Sequence, residues 1–177
     1  MEGDDFPSHL PRKPAHSQRV QLLEEESVHY GLTDPEAANE WQHYLPPGAG
    51  TLRYGPHQRA FGIAMYHEIH CLRYMRGEYA SPAQPDYKHI QHCLSLLRNA
   101  ILCEADVTLE PGDFTQRNYT VERVGIAHEC GNWEAVYDDA TRSWIDWWVY
   151  AKANGISCES YLLFFCQETD AVTPDSG

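Results

Sequence analysis

Two copies of the motif His-x-x-His-Cys are the part of this sequence whose residue types could do chemistry. The first copy spans residues 67–71 and the second spans residues 89–93. Both copies lie in segments that predict helices, and a helix turns about 100° per residue, so positions i, i+3 and i+4 share one face. Two imidazoles and a thiol therefore lie together in each copy. They are His67, His70 and Cys71 in the first, and His89, His92 and Cys93 in the second.

The four histidines favour a metal site. Imidazole is the commonest protein ligand for copper and zinc, and histidines on two packed helices could hold one metal ion or two. A single His-x-x-His is more often a surface pair or a hydrogen-bonded core pair. Duplication in two apolar helices, with both copies ending in Cys and neither having zinc-finger spacing, favours the metal site instead. The spacing by itself indicates neither the metal nor the number of ions.

The motif cysteines admit two roles. As thiolates they would join the imidazoles as soft ligands, a set that suits zinc or copper(I). As a disulfide they would connect the two helices, which requires Cα atoms about 4.4–6.8 Å apart. An oxidising metal would consume free thiolates, and this favours the disulfide. Further along the chain, His128 and Cys130 could supply a fifth ligand and a partner for Cys103. A capping histidine and a structural disulfide account for them equally simply.

Aromatic residues near the motifs are secondary candidates. Tyr74 lies seven residues after His67 and within about 20° of it around the helix, so its phenol could deliver a proton or an electron to the site. An ordinary packed tyrosine is the alternative. A cluster on the last predicted helix is interpreted as core packing by default, or as the wall of a substrate pocket. It comprises Trp144, Trp147, Trp148 and Tyr150.

The elements that must position these residues follow from start signals, breakers and periodicity. The first predicted helix begins at Thr33-Asp34-Pro35-Glu36 and ends at about Tyr44, and the second covers 61–75 with Gly62 as its weak point. The third begins at the Asp86 cap and ends at about Glu104, and the fourth covers 133–153. Predicted strands are 51–54, a helix or strand within 19–29, and a strand or hairpin within 107–124. Helices joined by a short loop usually pack antiparallel. The prediction is a mainly α fold: a small helical domain with two antiparallel motif helices, a long C-terminal helix and a minor β hairpin.

Length and charge limit the number of domains and the classes of partner. With 177 residues, 42% of them hydrophobic, the chain is the size of one domain. We expect one catalytic domain over 19–168, between a flexible arm (1–18) and a flexible tail (169–177). A net charge of −13 disfavours nucleic acid and anionic membranes as partners. Neither a membrane span nor a signal peptide is expected from the apolar runs. The six cysteines leave the compartment open.

The residues in and around the motifs resemble the UstYa-like family of fungal biosynthetic oxidases, which is recognised by paired His-x-x-His-Cys motifs. The resemblance covers about residues 40–150. It is carried by Trp41, Leu45-Pro-Pro-Gly-Ala-Gly50, both motifs with the Leu that follows each, Leu97-Arg98, Cys103-Glu-Ala-Asp106 and His128-Glu-Cys130. Two features differ from the family pattern. Many relatives have an N-terminal membrane helix that these residues do not contain, and Gly131 stands where relatives often have Arg.

This resemblance implies a copper-dependent oxidase that tailors a fungal peptide or other secondary metabolite by C–H oxidation, through oxidative cyclisation, hydroxylation or halogenation. It implies His67, His70, His89 and His92 as metal ligands, and a cross-link from Cys71 to Cys93. Copper is the expected cofactor, with zinc as the alternative. The expected partner is a small-molecule or peptide substrate, with a homo-oligomer left open, and the implied location is the lumen of the secretory pathway.

One further disulfide is predicted, and two alternative functions are open. A second disulfide is predicted between Cys103 and Cys130. A redox-neutral cyclase or dehydratase would use the same histidines as general acid and base, and oxygen consumption would distinguish it from an oxidase. A structural zinc module would instead hold a closed, four-coordinate and catalytically silent ion.

Overall fold

The structure is a computed structural model that describes residues 9–10, 14–25, 28–108, 118, 121 and 123–156. Within these residues the elements are β1 (Arg19–Glu25), α1 (Ala37–Gln42), β2 (Thr51–Tyr54), β3 (Arg59–Gly62), α2 (Ala64–Ala80), α3 (Tyr87–Glu104), β4 (Val124–Gly131) and α4 (Trp133–Ala153), with short 3-10 turns at Pro14–Ser17 and Pro47–Gly50. The mainly α prediction is confirmed. Among the described helices, none combines the length and apolar character needed to span a bilayer. The predicted tail 169–177 and most of the predicted arm 1–18 lie outside the described residues.

The first motif helix, α2, begins and ends later than the predicted 61–75. Phe61 and Gly62 belong to β3, where they pair with Leu52 and Thr51 of β2. Backbone N–H and C=O groups that are hydrogen-bonded within a strand pair cannot also form the first turn of a helix. At the other end, an exposed glycine costs a helix only about 1 kcal/mol, so α2 continues through Gly77 to Ala80. The predicted strand over 51–54 is therefore one half of a hairpin.

The second motif helix, α3, follows its prediction closely. The Asp86 side chain accepts hydrogen bonds from the backbone N–H of Lys88 (3.1 Å) and of His89 (3.2 Å), which satisfies two amides of the first turn. The helix ends at Glu104, and Ala105 follows in the left-handed conformation at φ 45°. This ending is typical of a helix C-terminus.

Helices α2 and α3 are antiparallel, as predicted. Near the start of α2, His67 faces His92, which lies a turn into α3 beyond His89. At the other end, Glu78 of α2 accepts a hydrogen bond from Asp86 N at the start of α3. The short loop between the helices enforces this arrangement because it leaves no room for a crossover.

A second two-stranded sheet pairs two segments that lie far apart in the chain. β1 pairs antiparallel with β4, with Arg19 opposite Gly131 and Leu23 opposite Ala127. The segment 19–29, predicted as either a helix or a strand, contains the strand β1 over Arg19–Glu25. The local sequence could not decide between the two because the partner strand β4 lies more than a hundred residues later. A strand or hairpin was predicted within 107–124. Among the described residues of that stretch, only Val124 belongs to a strand, β4, and most of the stretch lies outside the described residues.

The core lies between α4, α2 and the β2–β3 hairpin. Tyr66, Leu52 and Ala140 are buried together, and Trp144 and Trp147 extend this core along α4. The turn Pro47–Gly50 lies against it so closely that a Cβ added at Gly48 would overlap the Trp144 ring. Core packing, the default interpretation of the aromatic cluster, is confirmed for Trp144 and Trp147. The half-buried Trp148 instead carries the Lys152 ammonium 4.9 Å above its ring.

Candidate metal centre

The four motif histidines lie together between α2 and α3 and form a quartet in which each imidazole has two neighbours. Within each helix the ring centroids are 6.3 Å apart for His67 and His70 and 6.2 Å apart for His89 and His92. Across the helices they are 5.7 Å apart for His67 and His92 and 6.2 Å apart for His70 and His89. The i, i+3 spacing and the antiparallel register together place the imidazoles at the corners of one quadrilateral. The sequence prediction that the two triplets confront each other is thus met by the histidines.

One side of the quartet is open to solvent. His67 and His92 are exposed, while His70 and His89 are half-buried. Burial lowers the pKa of His70, and the neighbouring His67, His89 and Arg73 lower it further. A lowered pKa keeps this imidazole neutral, which is the form that binds a metal ion. The arrangement provides both a ligand in the correct protonation state and access for a substrate.

The donor set fits copper or zinc in its chemistry, and the quartet is slightly wide for one ion. Metal–nitrogen bonds of about 2.0–2.1 Å put two imidazole centroids on one tetrahedral ion roughly 5 Å apart. The four measured separations exceed this value by about 1 Å. Accordingly, no three His, Cys, Asp or Glu side chains of the described residues converge tightly enough to hold an ion as they stand. Binding of one ion would require all four imidazoles to move inward, since the His70–His89 pair is as wide as the others.

The motif cysteines lie side by side in the interior of the helix pair. Cys71 and Cys93 are both completely buried, and their thiols are in hydrogen-bond contact. Burial first, then the hydrogen bond and charge of Cys93, raises the pKa of Cys71 to about 12. Cys71 is consequently a neutral thiol and a poor metal ligand in this state. The two side chains have the proximity that a cross-link needs, although they are thiols here, and the disulfide stays a prediction.

Tyr74 lies beside the quartet, against a different histidine from the one expected. Helical phase pointed it toward His67, but its ring stacks on His89 of the opposite helix, with centroids 3.7 Å apart and planes 29° apart. It is 6.5 Å from His70. The start of α3 crosses α2 at this point, which brings His89 over the phenol. Desolvation, followed by a hydrogen bond to Glu78, raises the pKa of Tyr74.

Glu78 is a contributor that sequence reasoning missed. It contacts the Tyr74 phenol, and its Oε2 also accepts a hydrogen bond from Asp86 N at 3.0 Å. Asp86 in turn caps the turn that carries His89. One carboxylate thereby ties the end of α2 to the start of α3 where Tyr74 meets His89. The available signal was the i, i+4 spacing from Tyr74 to Glu78, which places both on one helix face.

His128 is not positioned to be a fifth ligand. Its Nδ1 lies 2.9 Å from Oδ2 of Asp106, just beyond the end of α3. His92 lies about 18 Å before Glu104 along the helix axis, at about 1.5 Å per residue. Hydrogen bonds from Thr108, followed by that of His128, lower the pKa of Asp106 to about 2. The pair connects β4 to the residues after α3, a contact that the local sequence could not predict.

The predicted second disulfide is not formed in the structure. Cys103 is exposed on the last turn of α3, and Cys130 is half-buried in β4. Both are thiols, and their pairing stays a prediction. Cys158 and Cys166 lie outside the described residues.

Two arginines, Arg73 and Arg76, follow the first motif on α2, and Arg73 contacts α1. Arg73 donates a hydrogen bond to the side-chain oxygen of Gln42. Burial, and then the positive charge of Arg76, lowers the pKa of Arg73. The Nε atom of Arg76 is buried without a hydrogen-bond partner among the described residues.

Comparison with known proteins identifies the class to which this fold and site belong. Residues 15–153 match the family described as "Mycotoxin biosynthesis protein UstYa". The chain therefore belongs to the UstYa family, and the resemblance noted from its motifs is confirmed. No solved structure is significantly similar to it.

Three relatives indicate what the family contains. The UstYa family oxidase phomYb of Diaporthe leptostromiformis is 26% identical over 76% of this chain and 62% of its own length. The oxidase ustYa of Aspergillus flavus is 36% identical over 52% of this chain and 45% of its own length. The hydroxylase cctR of Talaromyces islandicus is 29% identical over 72% of this chain and 50% of its own length. The matched region thus spans roughly half of each of these relatives.

Proposed function

We propose that this chain is a copper-dependent oxidase that tailors a fungal peptide or other secondary metabolite by oxidising C–H bonds. The observation that carries the proposal is the quartet of neighbouring imidazoles, formed by His67, His70, His89 and His92. Membership of the UstYa family supports it. The names of its relatives, two oxidases and a hydroxylase, support an oxidative outcome, which here would be cyclisation, hydroxylation or halogenation.

The quartet would hold copper through imidazole nitrogens. With dioxygen or a peroxide, bound copper would supply the oxidising power that removes hydrogen from a substrate C–H bond. The exposed edge at His67 and His92 leaves room for the substrate to approach. A structural zinc site is closed on all sides, and this openness favours a catalytic centre over a structural one.

Tyr74 would serve as the proton or electron donor of the site. Its ring lies in contact with His89, and the neighbouring Glu78 contributes to the raised pKa of its phenol, which favours the protonated form. A phenol O–H can donate and a carboxylate can accept, so Tyr74 would carry the proton of this pair beside the quartet. Glu78 would also keep Tyr74 and His89 in register through its bond to Asp86 N.

The test is metal analysis with electron paramagnetic resonance on protein purified without a histidine tag. We expect bound copper with a Cu(II) signal split by nitrogen ligands, together with oxygen or peroxide consumption when a reductant is supplied. Copper-free chain should show neither property. Bound zinc without any oxygen or peroxide uptake would contradict the proposal, and would favour the redox-neutral or structural alternatives.

A further inference from the structure

We propose that Arg73 and Arg76 form a carboxylate-binding site beside the histidine quartet, and that the substrate is a molecule with a free carboxylate. The identification of the bound molecule as the substrate rests on the proposed function. The binding site itself does not, because it follows from the surroundings of the two guanidinium groups.

Among the described residues, neither guanidinium group has a compensating anion. Arg73 and Arg76 are half-buried, and within the described part of the chain neither forms an ion pair. Arg73 donates to the neutral amide of Gln42, and Nε of Arg76 is buried with no partner there. Removing cations from water without pairing them is costly. Here the two also repel each other, so the arrangement favours binding of an anion.

This lack of an anion is unusual for the composition of the chain. The sequence has 26 acidic against 13 basic residues. Carboxylates are thus in excess overall, yet the described ones do not pair with these arginines. Two cations on adjacent turns of one helix, with no carboxylate paired to them in the described part of the chain, favour a site for an anionic ligand.

Placement connects this pair to the quartet. His70, Arg73 and Arg76 follow one another at i, i+3 and i+6, so Arg73 lies about 60° and Arg76 about 120° around α2 from His70. Along the axis, Arg73 lies about 4.5 Å and Arg76 about 9 Å from His70. A carboxylate bound at Arg73 would therefore lie within one helical turn of His70, beside the quartet.

The chemistry of the pair specifies a carboxylate. Guanidinium groups present planar forks of N–H donors that match the two oxygens of a carboxylate. Either the C-terminus of a peptide or the acid group of a small molecule would satisfy them. A bound carboxylate would also separate the two positive charges of Arg73 and Arg76.

The first test is chemical modification of arginine by phenylglyoxal, with each site quantified by mass spectrometry. Benzoate is the anionic probe, and benzamide is its neutral counterpart of almost the same shape. Benzoate at about ten times its dissociation constant should slow modification of Arg73 and Arg76 by about tenfold, because the bound carboxylate then covers them most of the time. Benzamide should have no effect, and the exposed Arg98 of α3 should react equally with either probe.

Two outcomes would overturn the proposal. The first is equal protection, or no protection, by benzoate and benzamide. The second is slow modification of both arginines in protein without any probe, because another part of the chain would then already cover them.

The second test uses Arg73→Met and Arg76→Met, with Arg98→Met as the matched control for loss of one positive charge. Benzoate affinity, measured by calorimetry, should fall about tenfold or more in the first two and stay unchanged in the control. Circular dichroism verifies folding, and Arg73→Lys should recover part of the affinity because it retains the charge. Copper content is measured in parallel. Chain without copper refutes the proposed function alone, whereas copper-loaded chain that does not bind benzoate refutes only the carboxylate site.

Discussion

Helices α3 and α4 have similar lengths, yet different interactions hold them in place. α4 buries Trp144, Trp147 and Ala140 in the core. Of the 18 residues of α3, only Cys93 is fully buried, while Leu94 and Ile101 are 55% and 71% exposed. The stability of the fold therefore resides largely with α4, and the candidate site is built on the less buried element.

The difference shows how the site can be accessible without weakening the domain. α3 is positioned against α2 by a helix cap, by the contact of Glu78 with Asp86 N, and by the paired thiols behind the quartet. Metal binding across the quartet would add a further link between these two helices and would stabilise their packing. Four predictions test this division of roles.

The largest effect is expected at the quartet. His70→Ala and His92→Ala should each abolish bound copper and oxidase turnover, since each removes one of four proposed ligands. The unfolding free energy of the metal-free chain should change by no more than about 1 kcal/mol, because neither histidine is fully buried. Metal analysis and urea unfolding measure the two quantities. His57→Ala, in the exposed turn between β2 and β3, is the control. Full copper content in both quartet variants would end the assignment.

The opposite behaviour is expected in α4. Trp144→Ala should lower the unfolding free energy by about 3–5 kcal/mol, because truncating a buried tryptophan leaves a cavity. Trp148→Ala, the same substitution one turn later at a half-buried position, should cost about 1 kcal/mol. Denaturant unfolding of the metal-free chain measures both. Equal losses would mean that α4 is not held by the face that carries Trp144.

The cysteine pair tests how α3 is attached to α2. We predict that Cys71 and Cys93 are disulfide-bonded in active protein, since an oxidising centre would consume adjacent thiols. Alkylation under denaturing, non-reducing conditions should find at least two fewer reactive thiols than the six cysteines of the sequence. Selective reduction should lower the unfolding free energy by about 3 kcal/mol. Six free thiols in fully active protein would contradict the cross-link. Peptide mapping also tests the separate pair Cys103 and Cys130.

The smallest effect on the fold is expected at Tyr74. Tyr74→Phe keeps the ring stacked on His89 and removes only the hydroxyl that contacts Glu78. Copper content and unfolding free energy should stay close to wild type, while turnover falls about tenfold or more if the phenol delivers a proton. Phe61→Leu, in the β2–β3 hairpin, is the control for change at an aromatic residue. Unchanged turnover in Tyr74→Phe would assign the tyrosine to packing.

Predictions from sequence were accurate where contacts within one helical turn decide the structure, and less accurate where contacts between distant segments decide it. The start of α3 at Asp86 and the end of α4 at Ala153 were predictable because a cap acts within one helical turn. The start of α2 was predicted three residues early, since Phe61 pairs with Leu52 across a hairpin that the local pattern does not reveal. The role of His128 was left open between a fifth ligand and a capping histidine, because its partner Asp106 lies 22 residues away.

By itself the sequence determined the contents of each helix face. Helical periodicity groups His67, His70 and Cys71 whatever the remainder of the chain does, because three or four residues suffice to define a face. Only the tertiary structure decided which groups meet. The register of α3 places Tyr74 on His89, and the packing of α2 beside α1 places Arg73 against the neutral side chain of Gln42. The physical reason is that register and burial depend on contacts between segments distant in the chain, whose relative positions no local pattern specifies.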